Sequence, residues 1–264
     1  MIALGSLAGL AQLGVGMTSI VYMTSTRLPN YPFPLVYKEL LPKSGSAKWA
    51  ADMHQAVIWR KSLTITDRAA LDRIAVWPIE LVTNGGQIVG CLMRCIPDEY
   101  FATQTDVGGG ITRKPRTMDY LAATPTALQR LGLDNEAAMW DELFRLAIAA
   151  HLVYGIAFLH HHGVVYGDVS LKNAVFSTSS PGVLLVDCDA TAALADPNRS
   201  QANSPGYSPP EMEPPGTNPF ARGRSSWQDH HTDVFKIGVT LLKVLHGGKG
   251  AAQRTDPDEI ANAV

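Results

Sequence analysis

The sequence predicts an α+β chain in two parts, β-rich over residues 1–93 and mainly helical over 98–264, joined by a short connection at 94–97. Short segments of β-branched and aromatic residues recur between Leu13 and Met93, the pattern of half-buried strands. A long apolar run between Asn135 and His162 keeps a helical period. The 264 residues are 46% hydrophobic and 17% charged, which excludes a largely disordered chain and is ample for two packed lobes.

In chain order, strands are expected over Ser19 to Thr24, Leu35 to Leu40, Ala75 to Val82 and Gln87 to Met93, the last two joined by an Asn84-Gly85-Gly86 hairpin turn. Between them, Ser46 to Ser62 reads as a helix with Trp49, Met53, Ala56, Val57 and Arg60 on adjacent turns. Thr103 to Arg116, with Gly108, Gly109, Gly110, Arg113, Lys114 and Arg116, reads as a mobile solvated loop. The helix from Asn135 to His162 repeats Met139, Leu143, Leu146, Ala147, Ala150, Tyr154, Ala157 and Phe158 at helical spacing, and Gly163 is placed to end it. Two short strands, Ala174 to Phe176 and Val183 to Val186, precede a loop rich in Pro, Ser and Asn, and Asp233 to His246 is a final helix stopped by Gly247-Gly248.

Several functions are disfavoured at once. A net charge of -2 gives no global attraction for nucleic acid or an anionic membrane. Cys91, Cys95 and Cys188 are too few for a disulfide framework or a four-ligand zinc site, so a reduced, cytoplasmic setting is expected. The segment before Arg27 carries no charge, yet it lacks a basic start and is broken by Gly5, Gly9, Gly14 and Gly16, which argues against a membrane span. His160-His161-His162 does not present the i, i+4 spacing that two ligands on one helix face require.

The densest chemistry lies in Tyr166-Gly167-Asp168, Asn173 and Leu184-Leu185-Val186-Asp187. A carboxylate, a carboxamide five residues later and a second carboxylate at the end of the next apolar strand are the oxygen groups that phosphoryl transfer uses. The first accepts a hydroxyl proton and the other two hold Mg²⁺.

With these residues the chain resembles the eukaryotic-type protein kinase superfamily, and its particular variants are similar to a divergent bacterial kinase-like branch. Leu13-Gly14-x-Gly16-x-x-Ser19-x-Val21 resembles the Gly-rich loop, with Ser19 where the third glycine stands, and Val36-Tyr37-Lys38 resembles the β3 lysine motif. Ser208-Pro209-Pro210-Glu211 resembles the Pro-Glu motif, and Asp233-x-x-x-x-Gly238 the opening of the central helix. The resemblance implies a bilobal protein-kinase-like fold with an N-lobe at 1–93, a hinge at 94–97 and a C-lobe at 98–264. It further implies ATP and Mg²⁺ as cofactors, with Asp168 and Lys38 catalytic and Asn173 and Asp187 on the metal. Leu13, Gly14, Gly16, Ser19, Val21, Val36, Lys38, Met93 and Val175 would surround the nucleotide.

The departures are informative. Gly167 replaces the arginine that receives an activation-loop phosphate, so activity is expected to be independent of that route although Thr191, Ser200 and Ser204 lie nearby. Tyr166 replaces the usual histidine, Ser170 the lysine usual in Ser/Thr kinases, and Cys188-Asp189 the Phe-Gly after the metal-binding Asp. The helix from Ser46 to Ser62 has no Glu to pair with Lys38, its only acid being Asp52, so Lys38 is expected to lean on Asp52 or Asp187. After Asp233 only 31 residues remain, too few for the family's later helices, which implies a longer protein or a partner that completes this lobe.

The expected function is therefore an ATP- and Mg²⁺-dependent protein kinase acting on Ser or Thr of a protein substrate. The missing Glu favours a nucleotide-binding scaffold as the alternative. A small-molecule phosphotransferase shares the Gly-Asp-x-x-x-x-Asn loop, but the segment at Ser208 to Glu211 favours the protein kinase.

Overall fold

In the computed structural model, the described residues are 1–16, 18–41, 46–105, 108–133, 139, 141–188, 191–193, 204, 206–212 and 228–246. They fall into two compact units. One holds Met1–Ile96 together with 186–188, 191 and 192; the other holds Pro97–Leu185, 193 and the described residues from 204 onward.

The first unit is built on a six-stranded sheet in the order β1-β5-β6-β4-β3-β2. Its strands are β1 (Ile2–Ala3), β2 (Ala11–Val15), β3 (Ser19–Thr24), β4 (Leu35–Leu40), β5 (Pro78–Asn84) and β6 (Gln87–Arg94). The charge-free N-terminus is thus strand rather than membrane helix, β1 running parallel to β5. β5 starts three residues later than expected, at Pro78, and the predicted turn is present with Gly85 and Gly86 both at positive φ. One face of the sheet buries Leu35, Tyr37, Ile79, Val82 and Leu92. The helix α1 (Ser46–Ser62) covers part of the sheet with the expected stripe, burying Met53, Ala56, Val57 and Arg60. Trp77 Nε1 ties the two layers by donating to the Ala56 carbonyl at 2.9 Å. A further helix, α2 (Ile65–Ile74), starts where Thr64 accepts from the Asp67 amide. Its Asp72 receives both hydrogen bonds of Arg60 Nη2 at 2.8 Å, so the buried guanidinium is paired rather than stranded.

In the second unit, residues 101–115 correct the expectation of a loop. Phe101–Thr105 (β7) and Ile111–Pro115 (β8) pair antiparallel in unbroken register, Phe101 opposite Pro115 and Thr105 opposite Ile111. The glycines mark the turn end of a hairpin, while alternation along β7 buries Ala102 and Gln104 and exposes Thr103. Two short helices follow, α3 (Asp119–Ala122) and α4 (Pro125–Arg130).

The long helix α5 (Glu142–His161) starts later than Asn135 because the Asp141 side chain caps it, accepting from the Phe144 amide at 2.7 Å. It ends at Gly163 with φ 72°, a left-handed conformation that glycine adopts freely. The helix buries a different stripe from the one the spacing suggested. Arg145, Ile148, Ala149, Leu152, Gly155, Ile156 and Leu159 are inside, whereas Leu143 (77% exposed) and Tyr154 (58%) face outward. α5 packs against β9 (Val164–Val165), β11 (Val183–Leu185) and α6 (His230–Leu245). β11 forms a hairpin with β10 (Ala174–Phe176). α6 begins one turn before Asp233 because Asp229 and Thr232 form a reciprocal capping box at its start.

Candidate functional site

Each unit carries one polar cluster formed by residues that the sequence singles out. In the first, Gly14 on β2, Gly16 in the turn that follows and Ser19 at the start of β3 lie close in sequence. The Gly16 N–H donates to the Ser19 carbonyl at 2.7 Å, closing the turn, and a side chain at Gly14 would meet no neighbour within 4 Å. Leu13 on β2 is exposed and Ser19 is buried. Register then orders the next residues, with Val21 on β3 opposite Lys38 on β4, and Val36 on β4 opposite Met93 on β6.

Lys38 is buried, and its Nζ lies 2.5 Å from Asp187 Oδ1. Asp187 is the only non-glycine residue with positive φ among those described, at 60°. A non-glycine residue there costs about 1 kcal/mol, least for Asp and Asn, so packing and pairing must hold it. The ammonium also sits 5.2 Å from the centroid of the Trp49 ring on α1. Trp49 lies on α1 one turn before Met53, a position the helical spacing already indicated. Asp52 is buried and lies 3.9 Å from Lys48 Nζ.

The cluster of the second unit is built on the β9–β10 connection. The Asn173 Nδ2 group donates to the Asp168 carbonyl at 2.8 Å and to Asp168 Oδ2 at 2.7 Å. These bonds fix the carboxylate and turn the Asn173 carbonyl oxygen away from it. Asp168 Oδ1 is buried and has no hydrogen-bond partner among the described residues. Tyr166, standing where the family usually has histidine, donates its hydroxyl to the Asn173 backbone carbonyl at 2.9 Å, so the ring braces the turn that carries both residues. Ser170 and Val175 are buried. Tyr207 accepts the Leu171 N–H on its hydroxyl, and burial raises that phenol's pKa above the ordinary value.

Helix α6 supplies what holds this connection. Asp233, wholly buried, accepts from the Tyr166 and Gly167 amides at 2.8 and 2.9 Å, and His160 Nε2 lies 2.9 Å from its Oδ2. Lys236, one turn on and equally buried, donates to the Gly167 carbonyl and to Gln228 Oε1. Loss of water around this ammonium pushes its pKa down to about 8, against the opposing fields of Asp233 and Asp168. Gly167 has φ 81°, which is costly for other residues. The sequence pointed to Asp233 but not to Lys236 or Gln228.

The histidines are accounted for locally. His160 stacks on His230 with centroids 4.1 Å apart, and His162 Nδ1 lies 2.9 Å from the Phe158 carbonyl. Desolvation, followed by the neighbouring His160, lowers the pKa of His230. Thr191 donates its hydroxyl to the Cys188 carbonyl. Glu211 lies in a short turn at Pro210–Met212. Asp189, Ser200 and the Glu211 side chain lie outside the described residues.

The chain thus combines a strand lysine paired to an aspartate with an Asp-x-x-x-x-Asn turn anchored on a helix. Comparison with known proteins agrees. Residues 133–246 match the family model described as Kinase-like. Over 110 residues the chain is 28% identical to the serine/threonine-protein kinase SRK2H of Arabidopsis thaliana, which covers 40% of this chain and 28% of that protein. Over 102 residues it is 28% identical to the serine/threonine-protein kinase STK11 of Rattus norvegicus, covering 36% of this chain and 21% of that protein. The matched stretch thus spans about a quarter of these relatives' length. Residues 133–246 are therefore similar to the kinase-like family, and part of the chain is similar to serine/threonine-protein kinases.

Proposed function

We propose that the protein is an ATP- and Mg²⁺-dependent kinase that transfers the γ-phosphoryl group to a Ser or Thr hydroxyl of a protein. The observation that carries this reading is the Asp168–Asn173 pair, in which one carboxylate oxygen is held by the Asn173 amide while the other has no partner among the described residues. That oxygen is suited to accept the proton of an attacking hydroxyl. As the substrate oxygen bonds to the γ-phosphorus, the bond from that phosphorus to the bridging oxygen breaks and ADP leaves; the hydroxyl proton passes to Asp168.

Each of the two residues that the resemblance assigns to Mg²⁺ carries an oxygen donor, which this hard cation favours. Asn173 offers its carbonyl oxygen because its amide nitrogen is engaged with Asp168, and Asp187 offers a carboxylate. Bound there, the ion would neutralise charge on the phosphate oxygens. Lys38 would fix the α- and β-phosphates, exchanging part of its bond to Asp187 for them. In the first unit Leu13, Gly14, Gly16, Ser19, Val21, Val36 and Met93 would contact the nucleotide, and Val175 of the second unit is assigned to it by the resemblance.

One observation favours a nucleotide-binding scaffold instead: α1 carries no Glu to pair with Lys38, and the Trp49 ring 5.2 Å from that ammonium orients a cation less stringently than a carboxylate would. Radiolabelled ATP with Mg²⁺, offered to the protein itself, to generic protein and to small alcohols or amino sugars, separates the readings. Labelled protein that is lost with Asp168→Ala and Asp187→Ala supports the kinase. ATP binding without any transfer supports the scaffold, and a labelled small molecule supports a small-molecule phosphotransferase.

A further inference from the structure

We propose that Lys236 is a positioning residue for Asp168, holding the peptide before it in place of any phosphorylation-dependent support. The proposal rests on the kinase reading for its activity arm.

The geometry is a two-sided grip. Asp233 and Lys236 lie three residues apart on α6 and therefore on one face. The carboxylate accepts the Gly167 N–H, and the ammonium donates to the Gly167 carbonyl. Both polar atoms of the residue immediately before Asp168 are thus fixed by the same helix. The Gly167 carbonyl begins the peptide bond to Asp168, so its direction sets where the Asp168 backbone starts. Gln228, fully buried, takes a second Lys236 proton at 2.6 Å and keeps the chain of the lysine from swinging away.

The residue types are hard to explain as packing. Burying an ammonium is expensive, and a methionine of similar length would fill the space without that cost. A charge-assisted bond to a carbonyl is about twice as strong as a neutral one, which is the return for placing a lysine here. Position 167 also carries no side chain of its own to anchor the loop, and as a glycine it has a wide range of backbone conformations open to it unless it is held from outside.

Lys236→Met and Lys236→Gln test this on the full chain, with amide hydrogen exchange over 164–173 and steady-state kinetics as readouts. Methionine should speed exchange at residues 167 and 168 at least tenfold relative to the α5 core and lower kcat at least tenfold, with KM for ATP within twofold. Glutamine, which retains a donor, should recover part of both. Unchanged exchange over 164–173 with Lys236→Met overturns the proposal, as does an equal rise across α5. Should Lys236→Met not fold, Gln228→Met keeps the lysine and removes its second acceptor; faster local exchange supports the grip and unchanged exchange overturns it. A wild type that transfers no phosphoryl group counts against the kinase reading alone, because the exchange arm still decides on Lys236.

Discussion

The two polar clusters are held by opposite means. Lys38 and Asp187 meet side chain to side chain, and Asp187 is 56% exposed. Asp233 and Lys236 are wholly buried, and they bind backbone groups of the connection that carries Asp168. An ion pair with one exposed member is loosely bound and can exchange partners; a buried carboxylate holding two amides cannot be removed without stranding them. The first cluster suits a site where a cation must release one anion to take another. The second suits a fixed platform.

This contrast can be broken most directly at Asp233. Asp233→Ala leaves the Tyr166 and Gly167 amides without their acceptor and His160 without its partner. We expect a loss of roughly 3–5 kcal/mol in urea unfolding. A change below about 1 kcal/mol would show that the second cluster is as replaceable as the first.

The next effect is on pH dependence. Lys236 holds its proton less tightly in the fold, at about 8, than in an unfolded chain at roughly 10.4. Between those values the unfolded state binds more protons, so this group's contribution to stability rises with pH across that window and is lost again as pH falls to about 8. Denaturant midpoints from pH 7.5 to 10.5 should show this rise in the wild type and a flatter profile in Lys236→Met. Identical slopes would contradict the burial argument.

Asp187→Asn should cost only about 0–1 kcal/mol of stability, since its pair with Lys38 is half in water. The same change should abolish Mg²⁺-dependent ATP binding, measured by calorimetry. Equal losses of stability at Asp187 and Asp233 would erase the distinction between the clusters. Smallest of all, Trp49→Leu removes the ring face beneath Lys38 and should cost about 0.5–1 kcal/mol while weakening ATP binding only a few-fold. A loss in binding as large as that of Asp187→Asn would make Trp49 an essential partner of the lysine.

Much of this was legible in the chain itself. Strands β3, β4 and β6 lie where their β-branched and aromatic residues place them, Asp168, Asn173 and Asp187 stand out by residue type and spacing, and Asp233 by the resemblance. What escaped did so for physical reasons. α5 is apolar on most of its surface, so periodicity alone could not tell the buried stripe at Ile148, Leu152 and Leu159 from the exposed one at Leu143 and Tyr154. The β7–β8 hairpin was hidden by its glycine-rich turn end and basic residues, and its backbone pairing is invisible to composition. Lys236 looks like a surface lysine in a one-dimensional reading. Only the fold brings it to a carbonyl 69 residues away.

The central claim is that Asp168 activates a hydroxyl for phosphoryl transfer. Single-turnover transfer from radiolabelled ATP with Mg²⁺, comparing the wild type with Asp168→Asn, tests it most directly, because asparagine keeps the shape and cannot take the proton. The account predicts a rate lower by about 10²–10⁴-fold with ATP affinity unchanged. Transfer at the wild-type rate by Asp168→Asn, or no transfer by either protein while both bind Mg-ATP, would contradict it.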